Sequence, residues 1–270
     1  MSNPHLPPEI LDHIVDLLHD AKHALMDCCL VSNTWIPRTR KHLFADIRFY
    51  LGKDLQSWKK TFPDPSTSPA CYAETLRVGC CHIIAAADAE PGGWITSFSR
   101  VVNLELTNCK ALPLRTRPYE LVNSFVPFHR ISPIIKSLRV DYISLLSSQT
   151  FNLIISFPLL QDLAVVIYAE MVTHEGDGSD EPSTPVQPSS SPAFTGSLEL
   201  SLMGGMKPIA CRLLSLPGGL HFRKLILDWR HKEDPSLTAA LVEECSHTLE
   251  SLDIAHLFYC TFILHLRPHR

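Results

Sequence analysis

A short apolar template, L-x-x-L-x-L, returns along most of this 270-residue chain and constrains the fold more than any other feature of the sequence. It reads as Val101, Leu104, Leu106; as Ile135, Leu138, Val140; as Leu160, Leu163, Val165; as Phe222, Leu225, Leu227; and as Leu249, Leu252, Ile254. Shorter forms stand at Leu76 and Val78 and at Leu198 and Leu200, with a degenerate eighth at Phe44, Ile47 and Phe49. The central leucines from Leu76 to Leu252 succeed one another at intervals of 25 to 35 residues. Apolar residues two apart line one face of a strand.

Between the triads, helical stretches are expected at Trp94–Phe98, Phe151–Phe157 and Ser236–Cys245, the last with Leu237, Leu241 and Val242 on one face. A strand plus a helix at this period resembles the leucine-rich-repeat arrangement, in which each unit buries its apolar row only by stacking on its neighbours. The resemblance implies an α/β class, with an irregular leucine-rich-repeat-like solenoid over residues 71-270. The consensus Asn after the strand is missing, with Cys109 at the matching position of one unit. An ordinary α/β domain with Leu-rich strands fits the same pattern. Residues 173-193 carry four prolines, many serines and the acids Glu175, Asp177, Asp180 and Glu181, so a disordered insert is expected there in place of a connecting helix. Its DGSDE run lacks the ligand alternation and distal Glu of a calcium loop. After the last triad only Phe258–Arg270 remain, with no evident polar cap, which leaves open whether the chain is a complete or a truncated form.

The first 50 residues are helical in pattern. Pro7 and Pro8 suit a first turn, whose N–H groups lack acceptors, and Glu9 and Asp12 put negative charge at the positive end of the dipole. Ile10, Leu11, Ile14, Leu17 and Leu18 then give an apolar face. A second helix is expected over Ala24 to Val31. A third, capped by Ser32 or Asn33 and containing Trp35, Ile36, Leu43 and Phe44, either kinks or restarts at Pro37. Residues 51–62 suit one more helix, and residues 63–70 read as a Pro/Ser linker, so that 51-70 connects the two parts. Three short helices enclose little core. Their apolar residues either stay open for a partner or pack against the domain C-terminal to them.

The strings LPPEILDHIVDLL, CCLVSNTW and KHLFADIRF resemble an F-box of the F-box-like type abundant in fungi. The matching positions are Leu6, Pro7, Glu9, Ile10, Leu11 and Ile14, then Leu30, Val31, Ser32 and Trp35, then Leu43 and Phe44. The resemblance implies a three-helix module over residues 1-50 that binds the Skp-family adaptor of a cullin-based ubiquitin ligase. Leu6, Pro7, Ile10, Ile14, Leu30, Val31 and Trp35 would make the contacts.

Strand alternation turns the residues between the apolar ones onto the other sheet face. Asn103, Glu105 and Thr107 would lie there, with Arg77, Arg139, Asp141, Glu199, Lys224, Asp228, Ser251 and Asp253. Arg77, Glu105, Arg139, Asp141, Glu199, Lys224, Asp228 and Asp253 are the charged candidates for binding a target. Their mixed signs suit a protein better than a polyanion.

A formal net charge of −4 leaves no footprint for nucleic acid or an anionic membrane, and the basic clusters Arg38, Arg40, Lys41 and Lys59, Lys60 read as solvated faces. An apolar fraction of 45% with 19% charged residues describes a chain able to bury a core. No signal peptide opens the sequence, and no apolar run has the length of a membrane span, the stretch Leu257–Leu266 being too short. An intracellular site, cytoplasm or nucleus, is expected. The nine cysteines suit a reducing compartment with buried thiols. Cys80, Cys81 and His82, near Cys71, are poorly spaced for zinc, and no hydrolase, P-loop or dinucleotide fingerprint is present. No cofactor, metal or catalytic residue is therefore expected.

Three functions remain in play. The first is a substrate receptor in the ubiquitin-conjugation pathway, joining an unknown protein target to a Skp-family adaptor and, through it, a cullin. The second is a repeat scaffold for protein interactions without a link to ubiquitination. The third is an enzyme on an unfamiliar scaffold, which a metal or one hyper-reactive cysteine would reveal.

Overall fold

The computed structural model describes residues 7–79, 94–107, 131, 133–141, 147–167, 192, 194–202, 207–229, 235–256 and 260–265. Three helices come first: α1 (Pro8–Leu17), α2 (Lys22–Val31) and α3 (Ile36–Leu43). Proline stands in the first turn of α1 and again of α3, so the chain restarts a helix at Pro37 rather than kinking one. Neither Ser32 nor Asn33 caps α3 with its side chain. The Ser32 hydroxyl instead takes the Thr34 N–H at 3.3 Å, and Trp35 occupies the cap position. Arg40, Lys41 and His42 fill the last turn of α3, where the dipole favours positive charge.

One nine-stranded sheet comes next, its strands β1 (Asp46–Phe49), β2 (Thr75–Gly79), β3 (Asn103–Thr107), β4 (Ser137–Asp141), β5 (Asp162–Ile167), β6 (Ser197–Leu202), β7 (Lys224–Trp229), β8 (Ser251–His256) and β9 (Cys260–His265) standing side by side in chain order. The first eight run parallel, and β9 folds back antiparallel on β8. The apolar positions align across it. One row runs Ile47, Leu76, Leu104, Leu138, Leu163, Leu198, Leu225, Leu252, and the next Phe49, Val78, Leu106, Val140, Val165, Leu200, Leu227, Ile254. All are buried except Ile254, which is half-buried. Full burial of one such side chain is worth roughly 1.5–3 kcal/mol.

A helical layer covers this face. Helix α4 (Gly52–Thr61) starts where the Asp54 carboxylate accepts the N–H groups of Tyr50 and Leu51 at 3.0 and 2.8 Å. It brings Trp58 edge-on to Phe44 and Phe49, with ring centroids 6.0 and 5.6 Å apart. Helices α5 (Ser147–Ile155), α6 (Lys207–Leu214) and α7 (Pro235–Cys245) come after it, α6 packing against both neighbours. Leu153 and Ile154, then Ile209 and Leu213, then Leu237 and Leu241 press on the leucine rows. Short 3-10 turns at Pro69–Tyr72, after α4, and at Trp94–Ser97 precede β2 and β3.

The expected repeat solenoid is corrected by this architecture. The class is α/β, but the chain forms one continuous sheet of eight parallel strands with seven α-helices among the described residues, and no solenoid is shown. The reason lies in the information the triads carry. They specify the inward face of a parallel strand under a helical layer and leave the connector free. Among the described residues the helical pieces before the strands differ, from the 3-10 turn Trp94–Ser97 before β3 to the eleven-residue α7 before β8. The helical part does not end at residue 50 either, because Asp46–Phe49 is itself the first strand of the sheet. Residues 63–70 are less open than a linker: Ser68, Pro69 and Ala70 are buried, and the Ser68 hydroxyl accepts the Ala70 N–H at 3.3 Å. The expected insert at 173-193 lies outside the described residues apart from Pro192, which is buried.

Strand register is set at the N-terminal edge of the sheet. The Ala45 carbonyl accepts the N–H groups of both Glu74 and Thr75, the Glu74 carbonyl those of Val102 and Asn103, and the same pattern recurs at Val102, Lys136, Gly196 and Arg223. Between β5 and β6 a side chain intervenes. Gly196 N–H reaches the Gln161 carbonyl, while the Asp162 carboxylate takes the N–H and hydroxyl of Ser197, each at 2.7 Å.

Candidate partner-binding surfaces

Helix α1 carries two apolar stripes. Leu11, Val15 and Leu18 recur at helical spacing and turn inward, with Val15 fully buried and the other two half-buried. Ile10, Ile14 and Leu17 form a second stripe at the surface, 47%, 37% and 69% exposed. On α2 the inward positions are Leu25 and Cys28, while Met26, Leu30 and Val31 are 48%, 87% and 69% exposed. Pro7 is exposed, Trp35 is half-buried at the start of α3, and Leu6 lies outside the described residues. Of the seven contact residues that the F-box resemblance implies, Pro7, Ile10, Ile14, Leu30 and Val31 are thus at the surface. Leu17 and Met26, which no motif singled out as contacts, share that exposure.

The module is held together through α3, which packs against α1, α2 and the Pro69–Tyr72 turn. A polar clamp supplements the thin apolar contact. Asp16 on α1 accepts Arg38 Nε at 2.6 Å on one carboxylate oxygen and pairs with Arg38 Nη2 on the other, and His42 Nε2 stands 2.7 Å from the first. Hydrogen bonds from Arg38, then from His42, hold the Asp16 carboxyl well below the usual carboxylate range. Arg38 is therefore no part of a solvated basic face: it belongs to a fork-on-carboxylate pair 22 residues apart in sequence. No local spacing advertises such a partner.

The second surface is the sheet face opposite the leucine rows. One row across it reads Arg48, Arg77, Glu105, Arg139, Ala164, Glu199, Ile226, Asp253. Asp141 and Asp228 stand in the row toward the strand C-termini, with Thr107, Val166, Ser201 and Ala255. Lys224 stands in the row toward the N-termini, beside Ser197 and Ser251. Much of this charge is spent internally. Arg77 Nη1 meets Glu105 at 3.1 Å, and its Nε faces Asp46 Oδ1 at 3.3 Å. That last pair is near enough for attraction but off-line for a hydrogen bond, and both atoms are buried without another partner. Arg139 serves Asp141 and Glu199 at 2.9 Å each, and Ser201 donates to Asp228 at 2.9 Å. Asp253 Oδ1 is buried without a hydrogen-bond partner. Lys224 is exposed. The candidate target-binding residues do share one face, largely as neighbours that neutralise one another.

Among the described residues no group of three or more His, Cys, Asp or Glu side chains is arranged to hold a metal ion, and no helix is long and apolar enough to cross a membrane. Cys28, Cys29, Cys71, Cys211 and Cys245 are free thiols, while Cys80, Cys81 and His82 lie outside the described residues. Comparison with protein-family models, with curated proteins and with solved structures finds no match for this chain.

Proposed function

We propose that this chain is a non-catalytic adaptor, the substrate-receptor subunit of a cullin-based, SCF-type ubiquitin ligase. Its N-terminal helices dock a Skp-family adaptor and, through it, a cullin, while the polar face of the sheet recruits a protein target. The observation that carries this reading is the exposure of Leu30 and Val31 at the end of α2, together with Ile10 and Ile14 on α1, at the positions where the sequence resembles an F-box. Large aliphatic side chains left in water on short helices suit a helix-in-groove partner. Holding target and ligase on one chain raises their effective concentration, so the receptor itself needs no catalytic group.

The test is a pull-down of the full chain on a purified Skp-family adaptor, with Leu30→Asp and Val31→Asp alongside. The wild-type chain is expected to bind and both variants to lose binding while keeping the wild-type melting temperature. Absence of wild-type binding sinks the reading.

The contact of α3 with the Pro69–Tyr72 turn favours a second reading, in which the helices chiefly cover the first-strand end of a protein-interaction scaffold unrelated to ubiquitination. It expects no adaptor binding, and unfolding of a chain cut at residue 50, which would also lose β1.

A further inference from the structure

We infer that Asp16 is a positioning residue for the exposed apolar face, setting the angle at which α1 presents Ile10, Ile14 and Leu17. The inference rests on the proposed function, in which this face receives a Skp-family adaptor.

Val15 is the only fully buried residue of α1, and α1 packs against α3. With Leu11 and Leu18 only half-buried beside it, the inward stripe fixes the angle of the helix loosely, because apolar contact has no preferred direction. Asp16, the next residue, supplies the missing direction: its carboxylate receives the planar guanidinium of Arg38 in a two-point fork and the His42 imidazole beside it, both from α3. The outward stripe turns with the same helix, so loss of the fork re-aims Ile10 and Ile14 together. The pair is also poorly placed to stabilise the fold as a whole. The side chains of Asp16 and Arg38 are each 35% exposed, and ion pairs so open to water contribute little to global stability. Its effect on α1 is therefore separable from folding.

The experiment titrates the full chain and its Asp16→Asn variant with a purified Skp-family adaptor in a calorimeter, reading Kd and stoichiometry separately. Hydrogen exchange along α1 and along β2–β8 is measured on the same samples. The expected result is a Kd weakened about tenfold, within the range of ordinary coupling between sites, at unchanged stoichiometry. Amides of α1 should exchange faster and those of the strands as before. A purely structural role would lower the stoichiometry, as some molecules lost their fold, and leave the Kd of the remainder alone; that outcome overturns the inference. So does an unchanged Kd in Asp16→Asn, which leaves the adaptor reading standing. Failure of the wild-type chain to bind overturns both, and is told apart by that control. Should Asp16→Asn not fold, Arg38→Lys is judged by the same criterion, since it keeps the charge and loses the fork.

Discussion

Arg139 on β4 reaches across Ala164 on β5 to place its Nη1 2.9 Å from Glu199 Oε2 on β6. Two strand spacings separate the partners, and only a side chain as short as alanine leaves the bridge open between them. The same guanidinium holds Asp141 through Nε at 2.9 Å. Glu199→Ala is expected to cost less than about 1 kcal/mol, because the pair is partly solvated and Arg139 keeps Asp141. Ala164→Phe should break the same bridge by standing between its two ends. A urea-denaturation series on the two variants, alone and combined, checks this: the combined effect should fall short of the sum, since both break one bridge.

Two close approaches in the sheet call for glycine for different reasons. A methyl group on Gly79 would sit 2.8 Å from the Tyr50 carbonyl oxygen and 2.9 Å from its Cα, both backbone atoms that cannot step aside. One on Gly196 would run into the Asp162 carboxylate, a side chain able to swing away at the loss of its bonds to Ser197. Gly79→Ala is therefore expected to destabilise by about 1–3 kcal/mol, the usual range for overpacking. Gly196→Ala should cost less, and Asp162→Ala should remove most of its penalty. Thermal midpoints of the three variants and the Gly196/Asp162 double variant give the answer. Equal losses at the two glycines would contradict the distinction.

The leucine rows are legible in the sequence because alternation is a local property: Leu104 and Leu106 face the core whatever connects them to Leu138. Even the weak triad at Phe44, Ile47 and Phe49 marks a strand, since Ile47 and Phe49 are buried and Asp46–Phe49 pairs with β2. The form of the connections is not legible, because helical turns of very different length serve the same parallel crossover. On α1 the apolar residues Ile10, Leu11, Ile14, Leu17 and Leu18 read as one face, a grouping that omits Val15. A helix with apolar residues on two sides leaves the choice of buried side to tertiary contacts, here those of α3. The Asp16–Arg38 pair and the Arg139–Glu199 bridge are invisible for a related reason: they join residues 22 and 60 positions apart, with no spacing rule between them.

Cysteine reactivity separates the adaptor reading from catalysis by a thiol. Burial pushes the Cys245 thiol up to about 11, against a weaker opposing hydrogen bond from the Phe222 backbone and with the Glu244 carboxylate pushing the same way. A raised value keeps the thiol protonated at neutral pH, and the protonated form is not the nucleophile. Cys71 and Cys211 are exposed. Iodoacetamide at neutral pH and subsequent peptide mapping should label these two in the folded chain and spare Cys245 until denaturant is added. Rapid labelling of Cys245 in the folded chain would contradict its burial, and one cysteine outrunning free thiol by orders of magnitude would reopen the enzymatic reading.

The α1 clamp carries its own acid signature. Because its partners hold the Asp16 carboxyl low in the folded chain, the detached or unfolded chain binds the proton more readily. The clamp's contribution is therefore complete above the ordinary aspartate value, about pH 4, and is lost as pH falls through the lower folded-state value. The groups facing it are Arg38 and His42, whose hydrogen bonds favour the carboxylate, and Asp12, which acts on Arg38. Amide resonances of α1 are expected to show an acid step below about pH 4, with the strands still folded at its onset. In Asp16→Asn the same resonances should stand displaced already at neutral pH and lack the acid step. Absence of the acid step in the wild-type chain would remove the carboxylate from the role and leave α1 held by Val15 and the rest of its apolar contact.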